Sequence, residues 1–130
     1  MDSCIFCKIV KGEIPSAKVW EDDKHFAFLS IAPMTRGHTL VIPKIHTDYI
    51  FDMEDEALGE ILKASKPIAK LLKEKMNPKT GKIGIMVAGL EVPHTHIHLI
   101  PMDSQHDLNF ANAKSSTPEQ LQEILKKINS

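Results

Sequence analysis

Pro93-His94-Thr95-His96-Ile97-His98-Leu99-Ile100-Pro101 is the stretch on which the rest of the chain depends. Histidine alternates with Thr95, Ile97 and Leu99, the period of two expected of a strand with one polar face and one face in the core. Proline cannot donate to an interior ladder, so Pro93 and Pro101 predict where that strand starts and stops. Three imidazoles then project from one face. Residues two apart on a strand are separated by roughly 6.5 to 7 Å, and residues four apart by about twice that. Two neighbouring imidazoles can therefore converge on one ion or phosphate, whereas all three on one ion would need a bent strand. The roles should differ, and His96, with a partner on either side, is the candidate reacting group. An imidazole with an unperturbed pKa of about 6.5 is largely neutral at pH 7, so one nitrogen is free to attack while the other donates to an orienting acceptor. The competing reading, three satisfied polar side chains on a half-exposed sheet face, stays open at this level.

Working outward, Lys82 to Val87 reads as the strand before it, behind the loop Asn77-Pro78-Lys79-Thr80-Gly81. Residues 54–76 carry a helical stripe of Leu58, Ile61, Leu62, Ile68, Ala69, Leu72 and Met76. Pro67 interrupts that stripe at a cost of about 3 kcal/mol, which predicts a kink there or a break near Ser65. The stripe continues on both sides, favouring a kink. His38-Thr39-Leu40-Val41-Ile42 follows the Arg36-Gly37 turn as a strand ending at Pro43, and Lys18–Glu21 and His25–Leu29 flank Asp22-Asp23 as a hairpin. Residues 4–11 suit a short helix stopped by Gly12, with Ile5, Phe6 and Ile9 on one face. Beyond the histidines, residues 102–116 are polar and poor in pattern. Thr117-Pro118-Glu119-Gln120 then opens a last helix, with threonine as N-cap and proline at the first helical position. The expected fold class is α+β: a five-stranded antiparallel sheet with one long helix packed on it, a short N-terminal helix and a C-terminal helix.

At 130 residues the chain suits one domain, 1–130, with a core in 4–101 and a C-terminal loop and helix in 102–130. Lys and Arg total 16 against 17 Asp and Glu, and the net charge of -1 argues against nucleic acid as a partner. No window approaches the roughly 18 to 20 apolar residues of a membrane span. Met1-Asp2-Ser3-Cys4 lacks the basic-then-apolar profile of a signal peptide, so a cytoplasmic location is expected. In a reducing compartment, Cys4 and Cys7 at CxxC spacing point to metal or redox chemistry before a structural disulfide.

With these stretches in view, the chain resembles the histidine triad superfamily, in its Hint-like branch of nucleotide hydrolases. The resemblance rests on Cys4-Ile5-Phe6-Cys7-Lys8-Ile9, Gly12-Glu13-Ile14-Pro15, Glu21-Asp22-Asp23, Ala27-Phe28-Leu29, Gly37 to Lys44 with His46, and the histidine strand, in that order. It implies that His96 attacks the α-phosphate of a nucleoside phosphoramidate or related conjugate, giving a nucleotidyl-histidine that water hydrolyses. His98 would contact phosphate or orient His96, and His38 matches another active-site histidine, with a satisfied core histidine as its alternative. Ile5, Phe6, Ile9 and Phe28 match positions lining the base pocket in relatives, though apolar residues at such positions also serve as plain core.

Cys4 and Cys7 are too few for a structural zinc, which wants four ligands. The resemblance implies that His46 and His94 complete the set, giving the zinc a structural role. Buried apolar cysteines or a redox pair remain the alternatives. Three departures stand out: Ser30 occupies the place of the usual ribose-binding aspartate, Glu91 that of a serine or threonine, and Val87 to Val92 form a shortened loop. The resemblance also implies a homodimer paired through sheet edges and a small nucleotide as substrate. Two further readings compete: a nucleotide-binding protein of this fold with little or no catalysis, and a zinc hydrolase using triad histidines as ligands to a catalytic metal.

Overall fold

A computed structural model describes residues 3–130; the first two residues of the Met1-Asp2-Ser3-Cys4 stretch lie outside the described residues. The elements run α1 (Ile5–Val10), β1 (Lys18–Glu21), β2 (His25–Leu29), β3 (Thr39–Pro43), α2 (Asp55–Met76), β4 (Lys82–Met86), β5 (Ile97–Met102) and α3 (Pro118–Asn129), with short 3-10 turns between some of them. All strand pairs are antiparallel, in the order β1-β2-β3-β5-β4. The fold is α+β: a five-stranded antiparallel sheet with three helices.

Alternation decides which face each strand residue serves. Ala27, Leu29, Val41, Ile97 and Leu99 point to one side, where Ile61, Ile68 and Leu72 of α2 and Ile128 of α3 seal the main core. Phe26, Phe28, Leu40 and Ile42 point to the other and are covered by Cys4, Phe6 and Ile9 of the α1 region. The histidines belong to this second face. The hairpin between β1 and β2 is closed by Asp22, whose Oδ1 accepts from the backbone of Lys24 and His25.

Three expectations need correction: where the histidine strand starts, where it ends, and the place of Leu62 on the helical stripe. The histidine strand begins at Ile97, not Pro93. In register, Val41 faces Ile97, so Thr95 would have to face Pro43, which has no N–H and whose carbonyl already accepts from His94 Nε2. Thr95 N–H goes instead to the Thr47 carbonyl at 2.6 Å. Pro101 does not stop the strand either: it pairs with Ile83, and β5 runs on to Met102. Its missing N–H falls on the side where β3 has ended, and its carbonyl there accepts from Thr35 Oγ1 at 2.8 Å.

The long helix runs through Pro67 as one element, so of the two outcomes that proline allows, the disfavoured break near Ser65 does not occur. Pro67 lies on the exposed side of α2, where water can satisfy the Lys63 carbonyl that proline leaves without its intrahelical donor. Ser65, buried, donates to the Ile61 carbonyl at 2.8 Å without ending the helix. Leu62 falls off the buried stripe and is about half exposed, because the sheet-facing row is Ile61, Ala64, Ser65, Ile68 and Leu72. The last helix forms as its capping box predicts, with Thr117 and Gln120 exchanging side-chain and backbone hydrogen bonds. No helix among the described residues is long and apolar enough to cross a membrane.

Candidate functional site

The β2–β3 loop and the start of β5 bring His38, His96 and His98 together on the second face. All three are buried, as is His94. Gly37, with φ of +90°, makes the turn before β3; a Cβ there would meet the Met76 side chain at 2.6 Å. His38 then pairs across to His98, Nε2 to Nδ1, at 2.9 Å.

The partners of these rings fix their tautomers. The Met34 N–H donates to His38 Nδ1 at 3.0 Å, so that nitrogen carries no proton and His38 Nε2–H must be the donor to His98 Nδ1. His98 therefore carries its proton on Nε2. His96 Nδ1 lies 2.7 Å from the His94 carbonyl, which can only accept, so His96 donates there and holds a lone pair on Nε2. No protein group among the described residues engages His96 Nε2 or His98 Nε2. A basic nitrogen and an N–H donor thus stand on neighbouring rings, 4.9 Å between centroids.

Burial lowers the pKa of His38 to about 3, with repulsion from His98 and His96 adding to it. Burial, and then His96, lowers that of His98 to about 4. The relay from Met34 through His38 to His98 is consequently neutral at physiological pH.

His94 faces away from this relay. Its Nε2 donates to the Pro43 carbonyl at 2.8 Å, which leaves the Nδ1 lone pair for a second cluster. His94 Nδ1 lies 3.4 Å from Cys4 Sγ, 3.5 Å from Cys7 Sγ and 3.2 Å from His46 Nδ1, and Cys7 Sγ lies 3.3 Å from His46 Nδ1. All four ligand atoms fall within 4.8 Å of one another and can hold a metal ion. Tetrahedral zinc with bonds of about 2.3 Å to sulfur and 2.05 Å to nitrogen would set such atoms roughly 3.3 to 3.8 Å apart, so the donor set fits in size and chemistry. The Pro43 carbonyl is the outer-sphere acceptor that orients a ligating imidazole. Burial, and then the Cys4 thiol, push the Cys7 thiol upward, so a bound cation is what would make it give up its proton.

The remaining predicted residues are placed less uniformly. Phe6 lies edge-on to His96, at 5.1 Å between centroids, and to Phe28 at 5.5 Å. Phe6, Ile9 and Phe28 are buried in the second core, while Ile5 is half exposed. Ser30 is buried beside the loop, its hydroxyl accepting from Ala32 N–H at 3.2 Å, and with His38 it lines a groove of about 600 Å³ reaching Asn112 and α3. Glu91 is exposed. Two participants escape sequence reasoning. The Met34 N–H is a backbone group that any residue but proline supplies, and Phe110, edge-on to His98 at 5.3 Å, sits in a segment without periodicity. A single aromatic in a polar run was the only signal for it.

The HIT domain family model matches residues 11–105. An adenosine 5'-monophosphoramidase HNT1 of Candida albicans is 42% identical over 106 residues, covering 76% of this chain and 70% of that protein. The crystal structure of a Hit-like protein involved in cell-cycle regulation from Bartonella henselae superposes with a TM-score of 0.83 at 34% identity, over 98% of this chain and 95% of that one. A Zn-bound histidine triad family protein from Mycobacterium smegmatis does so with a TM-score of 0.79 at 29% identity, over 98% and 94%. The order of strands, the paired histidines and a match of this extent lead to one assignment: the chain belongs to the histidine triad (HIT) family.

Proposed function

We propose that the protein is a nucleotidyl hydrolase that cleaves at the α-phosphate of nucleoside phosphoramidates or related conjugates. The observation that carries this reading is the 2.7 Å contact of His96 Nδ1 with the His94 carbonyl, which orients the ring and leaves Nε2 as the nitrogen available for attack. In the first step His96 Nε2 forms a bond to phosphorus, the bond from phosphorus to the departing nitrogen breaks with its electron pair going to that nitrogen, and the nitrogen leaves as the amine after taking a proton from water. Water then cleaves the nucleotidyl-histidine and restores the imidazole. His98 Nε2–H donates to the phosphoryl oxygens as charge builds on them, with His38 holding its tautomer. Ile5, Phe6, Ile9 and Phe28 are read as the base side, and Ser30 and Glu91 as contacts to ribose and to the phosphate or departing group. The phosphoramidase relative supports the substrate class.

Cys4, Cys7, His46 and His94 are read as the ligands of a structural zinc, and the histidine triad neighbour from Mycobacterium smegmatis is Zn-bound. When bound, the metal supplies a cross-link between α1 and the segment leading into β5. A catalytic zinc on the triad is disfavoured, because both nitrogens of His94 are engaged, by Pro43 and by the cysteine cluster, and His98 presents an N–H at Nε2, which leaves His96 alone with a free lone pair. We further read the protein as a cytoplasmic homodimer, for which the β4 edge strand, with Ile85 half exposed, offers an unpaired ladder.

Adenosine 5'-phosphoramidate hydrolysis by the wild type and by His96→Ala, with zinc measured on both, tests the reading. Turnover that disappears while zinc stays is the expected result. Zinc lost together with activity in His96→Ala would favour the metal hydrolase, and a wild type that binds nucleotide without turnover would favour the binding protein.

A further inference from the structure

Residues 103–116 form a strap across the histidine face. Its near end is tied by Asp107 Oδ2, which accepts from the backbone of Asp103 and Ser104 at 2.7 and 3.0 Å. Leu108 packs over Gly84 of β4, where a Cβ would lie 2.8 Å from it. The middle is braced by Asn112 Nδ2 donating to the His106 carbonyl at 2.9 Å. The far end is sewn to the β2–β3 loop: Lys114 N–H donates to the Pro33 carbonyl at 3.3 Å and Ser116 N–H to that of Ile31 at 2.8 Å.

Between these ties stands Phe110, on a 3-10 turn whose N-cap Asn109 accepts from Ala111 N–H. Its ring meets His98 edge-on, at an interplanar angle of 80°, yet 47% of the residue remains exposed. The other aromatic on the row, Phe6, is only 6% exposed and belongs to the core. A segment pinned along its length thus holds one large apolar ring half in water beside His98, whose own ring neighbours that of His96. What sets this ring apart from other exposed apolar side chains is its contact with His98, which puts an open aromatic surface where a planar group beside that histidine can stack.

We propose that Phe110 is a specificity-determining residue: a stacking platform beside His98 for a planar ring that the substrate carries on its phosphoryl group. The assignment rests on the reading above for where the phosphate binds. The ring has two chemical sources: an aryl group on the departing amine, or the nucleobase, which would then lie against Phe110 and not against Ile5, Phe6, Ile9 and Phe28.

Binding measured in a His96→Ala background, where no turnover intervenes, separates them. The probes are ribose 5-phosphate, AMP, and AMP joined through a P–N bond to 2-phenylethylamine. Phe110→Ala and Phe110→Leu should each weaken a ring-bearing probe by about tenfold relative to ribose 5-phosphate, and Phe110→Trp should hold or tighten it. Loss for AMP and the conjugate alike, with ribose 5-phosphate unmoved, identifies the base as the stacked ring; loss for the conjugate alone identifies the departing group. Leucine keeps an apolar cover on His98 without a flat face, so a leucine variant that behaves like wild type overturns the proposal. So does an equal loss for all three probes, or no loss for any. Ring-selective binding in a protein whose wild type turns nothing over leaves the platform standing and removes the hydrolase reading. His96-dependent turnover without ring selectivity does the reverse.

Discussion

His94 and His96 sit two residues apart and are both buried, yet their rings are set to opposite tasks. His94 donates from Nε2 to a carbonyl and turns Nδ1 to two thiols and a third imidazole. His96 donates from Nδ1 to a carbonyl and leaves Nε2 open. The side chains are chemically identical, so the difference lies in which backbone oxygen each can reach. Pro43, ending β3, supplies one; His94 itself supplies the other. A carbonyl that captures one nitrogen decides which lone pair the ring presents, and the surroundings of that lone pair decide what it can engage: two thiols and an imidazole for His94, open space for His96.

The sharpest way to break this contrast is to remove each ring in turn. His96→Ala should cost turnover on the order of a thousandfold or more while metal content is unchanged. His94→Ala should lose the metal, yet it keeps the backbone carbonyl that holds His96 Nδ1, so turnover should fall far less. Equal losses of turnover in the two variants, at equal folded fraction, would mean that the two ends do not work separately.

Next in size is the metal itself. Cys4, Cys7, His46 and His94 join α1, the loop after β3 and the approach to β5, so metal bound only by the folded chain stabilises it by mass action. At a free concentration a thousandfold above its dissociation constant this is worth about 4 kcal/mol. Urea unfolding with and without a chelator should show a loss of that order, and Cys4→Ser should abolish the difference. A chelator that leaves the midpoint unmoved would take the cross-link away from this cluster.

The reactive end should answer to pH instead. His38 is held at about 3 and His98 at about 4, against about 6.5 in an unfolded chain. The unfolded chain takes up these protons first, so the stabilising contribution is complete above about 6.5 and is lost as pH falls through 6.5 toward 4. The loss is on the order of 3 kcal/mol for each of the two groups across that window. His38→Gln removes one of the two groups and should flatten the slope of stability against pH. An unchanged slope would mean that His38 is not buried neutral.

Much of this could be read from the residues. Alternation in 93–101 placed the rings on one face, CxxC spacing flagged the thiols, and the box at Thr117 opened α3, because each signal is local and rests on side chains. What stayed hidden rests on backbone groups or on chain returning from a distance. The start of β5 was misplaced because it is set by the missing N–H of Pro43, some fifty residues earlier, and no periodicity records that. Pro101 was misread because a proline stops a strand only on the edge where a partner needs its donor, and here that edge is free. Phe110 was invisible for the same reason as Met34: its place beside a histidine is set by ties between the strap and the β2–β3 loop, not by its neighbours in sequence.

The smallest effect tests the hidden part directly. Thr35 Oγ1 donates to the Pro101 carbonyl and thereby pins the loop whose Met34 N–H fixes the His38 tautomer. Thr35→Val keeps the shape and removes the hydroxyl, at a cost of about 1 kcal/mol in stability. If the relay depends on that loop, turnover should drop severalfold in the same variant with metal content untouched, since nothing at the His94 end involves Thr35. A loss of stability with turnover unchanged would show that His38 keeps its tautomer without the pin, and that burial and the His98 contact are enough to hold the relay.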